Sequence, residues 1–205
     1  MKRTIFLILL CLAMLFSFTA CSSFSISTNS VGKDNTSAKK MAEVIKADLE
    51  AKSENSNYTL YGIEMTMDTE DIGKAKLLYT DKLPQNLKYS DITVVTVDTR
   101  TGKIESVEDA DFSTMGTVPY KTIVDGAPLG IGDWKKDSDE ALAIAQNTFY
   151  GEQDFIYNYA RLTAKIQDDV CQYEVTFISF VNDLQYSCCV DAMTGAVFAK
   201  EIEAL

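Results

Sequence analysis

Thirty carboxylates and five cysteines are the most reactive groups in this chain, and no histidine accompanies them. That absence excludes Ser-His and Cys-His nucleophile pairs, and histidine-ligated zinc or haem, within the chain. Cys188 and Cys189 are adjacent, which suggests redox chemistry. Neighbours in a strand point to opposite faces, however, so a bridge between them would distort the ladder. If Asn182-Asp183 is a two-residue turn, Phe177 faces Cys188 and Thr176 faces Cys189. Cys171 then lies on the order of 15 Å away along the strand. The expectation is three free thiols, with Cys188 a small buried hydrophobe.

The carboxylates form two acidic turns, Asp68, Glu70 and Asp71 in one and Asp168-Asp169 in the other. Neither has the alternating oxygen ligands and distal Glu of an EF-hand loop. Polar hairpin turns facing water account for both. Glu105, Glu108, Asp109 and Asp111 could pair for acid–base work, but no spacing singles out one pair. There is no nucleophile motif and no glycine-rich phosphate loop. The chain therefore reads as non-enzymatic, without metal or cofactor, and a carboxylate-based hydrolase is the alternative. Tyr58, Tyr61, Tyr79, Tyr157, Tyr159, Tyr173 and Tyr186 could line a ligand groove, although strands favour tyrosine in any case.

The N-terminus decides location. Lys2 and Arg3 precede an apolar run, Ile5 to Phe16, which is shorter than the ~20 residues that span a bilayer. Phe18-Thr19-Ala20-Cys21 then resembles the end of a bacterial lipoprotein signal, which implies lipidation of Cys21 and an extracytoplasmic, membrane-anchored protein in the cell envelope. Loss of residues 1–20 takes the net charge from −11 to −13. Such a balance repels nucleic acid and anionic headgroups. Residues 21–35, rich in Ser, Thr and Asn, read as a flexible tether with a reach on the order of 20 Å.

The rest must supply elements that position these groups. Thr36 or Ser37 caps a helix with Ala38, Met41, Ala42, Ile45 and Leu49 on one face. Strands follow at 57–67, 74–80 and 92–97, the last running into the turn Asp98-Thr-Arg-Thr101-Gly102. A second helix, capped by Asp137 or Ser138, buries Ala141, Leu142, Ala145 and Phe149. Strands at 156–166, 171–180 and 186–190 then lead into a matching turn, Asp191-Ala-Met-Thr194-Gly195. In each turn the Asp can accept from backbone N–H groups ahead of it, and the Gly can take a positive φ. The two triplets are 93 residues apart. The fold class expected is α+β: two tandem units, each a helix packed on an antiparallel β-sheet, at 36–112 and 135–205. Residues 113–134 would connect them, with Trp134 packed where the halves meet.

Helix, antiparallel strands and a closing strand–VDxxTGxV–strand resemble the PepSY domain family over nearly all of 36–110 and 136–203. The second copy carries it best, in EALAIAQNTF, QYEVTF and YSCCVDAMTGAVF. PepSY domains occur in propeptides of thermolysin-like metallopeptidases, in a spore-germination protein and in many membrane-attached or secreted bacterial proteins. The resemblance implies a non-catalytic binding module, often proposed to restrain peptidases. It gives Asp98, Thr101, Gly102, Asp191, Thr194 and Gly195 structural roles. The partner expected is a protein or extended peptide at a sheet surface or edge, an envelope peptidase for instance, or another envelope subunit if the lipoprotein is purely structural.

Overall fold

The computed structural model describes residues 26–52, 58–68, 73–82, 88–110, 127–152 and 155–205. Cys21 lies outside them, as do Glu70, Asp71 and Asp111. The elements run α1 (Ala38–Lys52), β1 (Thr59–Asp68), β2 (Gly73–Thr80), β3 (Thr93–Asp98) and β4 (Ile104–Asp109). They continue as α2 (Ser138–Phe149), β5 (Tyr159–Gln167), β6 (Val170–Ser179), β7 (Leu184–Asp191) and β8 (Val197–Ala204).

The expectation of two separate helix-on-sheet units is overturned. The eight strands of the described residues form one antiparallel sheet in the order β4-β3-β2-β1-β5-β6-β7-β8. The join is β1 against β5, in register from Ile63↔Ala164 to Asp68↔Tyr159. A four-stranded unit ending at β1 or β5 would present a bare row of backbone donors and acceptors. Pairing the two rows removes both edges at once. β1 consequently lies mid-sheet, and Leu60 to Met65 are all buried.

The alternation of the strands sends Ile63, Met65, Leu77, Val95, Leu162, Val175, Tyr186 and Cys188 to one face. There they form a single core with Met41 and Ile45 of α1 and Ala145 and Phe149 of α2. Both helices thus cover the same face of one sheet. Their stripes follow the 3.6-residue period, and Ala38, Met41, Ala42, Ile45 and Leu49 of α1 are all buried.

The two helices begin at the same place. Asp137 caps α2, accepting from Ser138 N–H at 2.7 Å in a capping box with Glu140. Its carboxylate also accepts from the Ser37 hydroxyl (2.6 Å) and from Lys39 N–H (3.0 Å) at the start of α1. Ser138 Oγ, in turn, accepts from Ala38 N–H at 2.9 Å. Trp134 lies alongside, 2% exposed and edge-on to Tyr173 at 5.2 Å. Its carbonyl accepts from the Lys39 ammonium. Before it, Leu129 N–H donates to Leu60 (2.8 Å), so the described end of the connector packs back onto the first half.

The flexible tether at 21–35 also needs correction over its described part. Ile104 N–H donates to Asn29 (2.9 Å), Val31 N–H to Gly102 (2.8 Å), and Ser30 bridges Lys103. Residues 29–31 therefore lie against the start of β4's outer edge, with Val31 only 3% exposed. A polar segment satisfies this edge with its backbone, and one apolar side chain anchors it.

A single core and sheet should melt in one cooperative transition, followed by Trp134 fluorescence and circular dichroism. Asp137→Ala strips a cap from two helices and should cost about 2–3 kcal/mol, at about 1 kcal/mol per cap and more for the part-buried charge. Asp137→Asn keeps acceptors and should lose less. Equal melting temperatures for Asp137→Ala and the unaltered protein would contradict the shared cap.

Candidate functional site

The turn triplets build both ends of the sheet's outer hairpins. Asp191 carboxylate accepts from Met193 N–H (2.7 Å) and Thr194 N–H (2.8 Å), and its carbonyl accepts from Gly195 N–H (2.8 Å). Thr194 Oγ1 accepts from Ala196 N–H at 3.1 Å. Asp98, Thr101 and Gly102 repeat each bond, with Arg100 and Thr101 N–H at 2.8 and 3.2 Å from the carboxylate. Gly102 has φ 71° and Gly195 φ 77°. Backbone hydrogen bonding from Thr194, then Met193, outweighs desolvation and holds the Asp191 carboxyl below its usual range. At Asp98 desolvation pushes the other way, but the bonds from Thr101 and Arg100 and the Arg100 charge together prevail and lower it. The strand directions put β3–β4 and β7–β8 turns at opposite ends of the sheet. The six residues therefore make two turns and no common site.

The cysteines do not converge either. The turn before β7 is Phe180–Asp183, and Ser179 pairs with Leu184. Cys188 consequently faces Val175 and Cys189 faces Glu174, two positions from the expected partners. An even slip keeps every side chain on its face, and Cys188 is indeed in the core. Cys171, Cys188 and Cys189 are free thiols. Burial pushes the Cys188 thiol up to about 11, and desolvation raises the other two as well. None is a ready thiolate.

Asp168 and Asp169, at φ 51° and 62°, are the two residues of the β5–β6 hairpin turn. Two positive φ angles are what a type I′ turn requires. Among the described residues no three His, Cys, Asp or Glu side chains gather as metal ligands. Glu105 pairs with Lys74 at 2.8 Å. Glu108 and Asp109 are exposed on β4. Tyr61, Tyr79, Tyr173 and Tyr186 are core or sheet residues, 7% exposed or less. Two clefts remain. One, of about 320 Å³ at the helix starts, has Met65, Met67 and Leu142 below and exposed Asp34, Lys40 and Asp139 at its rim. The other, of about 350 Å³, lies between α1, Tyr58 and residues 129–133.

The feature best suited to function is β8, which spelling of the turns did not reveal. It ends the sheet, and Phe198 to Ala204 are all exposed. Ala199, at φ 50°, sits in a bulge opposite Cys188. The extra residue flips the alternation. Phe198, Glu201 and Glu203 thus share the helix-free face with Cys189, Ser187 and Gln185, while Ile202 lies opposite Tyr186 on the helix face. Lys200 is drawn to the helix side, where it pairs with Glu152, donates to the Thr148 carbonyl (3.3 Å) and covers the Phe149 ring. Leu205 N–H donates to Asp183 (3.0 Å). By the antiparallel alternation, Glu201 and Glu203 turn their backbone groups to β7, and Ile202 and Ala204 turn theirs outward. The signal was the run of charged residues Lys200, Glu201 and Glu203, a common guard of strand edges.

No family model matches the chain, so the PepSY resemblance stands on the turns and helix stripes alone. No curated protein matches it either. One solved structure does, a candidate lipoprotein (CD1622) from Clostridium difficile 630. The two align at 15% identity with a TM-score of 0.51, over 86% of this chain and 97% of the other. At that identity the likeness is one of fold.

Gly102 and Gly195 differ in what surrounds them. A Cβ on Gly102 would stand 2.5 Å from the backbone of Gly32, whereas on Gly195 it would meet only the Ile144 and Lys136 side chains, at 3.2 and 3.4 Å. Both substitutions to Ala carry the positive-φ cost of about 1 kcal/mol. Gly102→Ala should cost about 1–2 kcal/mol more, because backbone cannot swing aside. Chemical denaturation of the two variants measures the difference, and equal losses would contradict the close approach.

Proposed function

We propose that the chain is a non-enzymatic, lipid-anchored envelope protein that binds an extended segment of a partner protein along β8. The observation that carries this reading is the outer edge of β8, which is exposed from Phe198 to Ala204 and has no strand beyond it among the described residues, in a sheet whose other edge is met at the start of β4 by residues 29–31. An added strand gains main-chain hydrogen bonds from such an edge, and alternate side chains supply specificity. Location rests on the leader at 1–20 followed by Cys21, and the fold neighbour described as a candidate lipoprotein supports it. No helix among the described residues is long and apolar enough to cross a membrane. The PepSY-like turns point to a secreted or envelope peptidase as the partner, restrained by the added strand. The hydrolase alternative gains little from the clefts, whose carboxylates Asp34, Asp139, Glu43 and Asp133 line open rims rather than a buried pair.

Two measurements test the reading. Fatty-acid labelling should be lost in Cys21→Ser, with the protein released from membranes; persistent labelling would refute the anchor. Ile202→Pro removes an outward N–H and leaves the β7 ladder intact. Envelope peptidases slowed by the full-length protein should recover with that variant. Inhibition unchanged by Ile202→Pro would move binding away from β8.

A further inference from the structure

The charges on β8 say what kind of strand it takes. Beyond the bulge, Glu201 and Glu203 stand two residues apart on the helix-free face, and Ile202 stands between them on the helix face, 43% exposed. Lys200 is the strand's own cation, and its ammonium is already held by Glu152 and the Thr148 carbonyl on the other side of the sheet. An incoming strand therefore meets two carboxylates on one face and an apolar side chain on the other.

We propose that β8 accepts an extended segment with basic side chains at alternate positions and an apolar one between them, the basic pair opposite Glu201 and Glu203. This rests on the edge-binding reading above and narrows its occupant. Opposite charges directly across a ladder attract, and like charges repel. The net charge of −11 steers the same class of partner from a distance.

The same geometry disfavours a second copy of the chain. Antiparallel pairing of two β8 strands about a two-fold axis centred on residues 201–203, with faces matched, places Glu201 or Glu203 opposite Glu201 or Glu203 of the other copy. No such register offers a cation across from them, because Lys200 lies on the other face.

The test uses the full-length protein in detergent and three labelled eight-residue peptides, alternating lysine–valine, threonine–valine and glutamate–valine, followed by fluorescence anisotropy. The lysine peptide should bind about tenfold more tightly than the threonine peptide. Charge reversal in Glu201→Lys with Glu203→Lys should transfer the preference to the glutamate peptide, while Ile202→Pro should weaken all three. Equal binding of the lysine and threonine peptides, both lost in Ile202→Pro, would overturn the basic preference and leave the edge reading standing. Lysine-peptide binding that ignores Ile202→Pro, or no binding by any peptide, would overturn both. A dimer in sedimentation that dissociates on Ile202→Pro would replace the basic segment by a second copy.

Discussion

The backbone groups along the inner edges of β1 and β5 have to be paired somewhere, and they pair with each other. Everything else in the molecule follows from that contact. It makes one sheet of two four-stranded meanders and places their helices on one common face. Among the described residues it leaves two strands, β4 and β8, with an outer edge to manage. Separate units would have had four such edges and two cores, each close to the size at which a fold becomes marginal. The single core instead draws Met41, Ile45, Ile63, Phe149 and Tyr186 into one cluster.

Bringing β1 and β5 together also brings the two helix starts together, and that creates an electrostatic problem. Each start presents unsatisfied N–H groups and the positive end of a helix dipole. Asp137 answers both with one carboxylate, accepting from Ser37, Lys39 and Ser138. The Lys39 ammonium would add a further positive charge there, but it is turned to the Trp134 carbonyl. The cap is therefore a tertiary contact as much as a local one. Its position, 100 residues from Ser37, is why α1 and α2 start from one point.

The local half of this architecture was legible in the sequence. Helix stripes and DxxTG turns depend on residues within a few positions of each other, and Ala38 to Leu49, Asp98 to Gly102 and Asp191 to Gly195 all sit where their spacing puts them. The join of β1 to β5 depends on residues about 100 apart, and no turn chemistry encodes it. One signal was there to find. Leu60-Tyr61-Gly62-Ile63 is nearly continuous in apolar character, as strands covered on both faces are. The β6–β7 register slipped by two because a two-residue turn at Asn182-Asp183 was expected, whereas the turn also takes in Phe180 and Val181, apolar residues that are nonetheless 66% and 68% exposed. For the candidate site, the six turn residues were visible, and of these only Asp191, Thr194 and Gly195 lead into β8. The binding edge itself became apparent once the strand order was known.

The two outer edges are managed by different physics, and the difference bears on function. The start of β4 is covered by residues 29–31, whose hydrogen bonds occupy the edge near Gly102 and Ile104. β8 has no such cover among the described residues. It carries a bulge at Ala199, a lysine drawn away to Glu152 and two glutamates on one face. A bulge and like charges deter a copy of the same strand, but they leave alternate N–H and C=O groups turned outward. A cover of backbone excludes every strand, whereas a guard of charge excludes only strands of the wrong sign. Conversion of the guard into an attraction needs nothing from this chain except the arrival of a segment carrying the opposite charge. An edge meant only to stay solitary could have been covered by backbone, as the start of β4 is. One closed by sign alone remains able to choose.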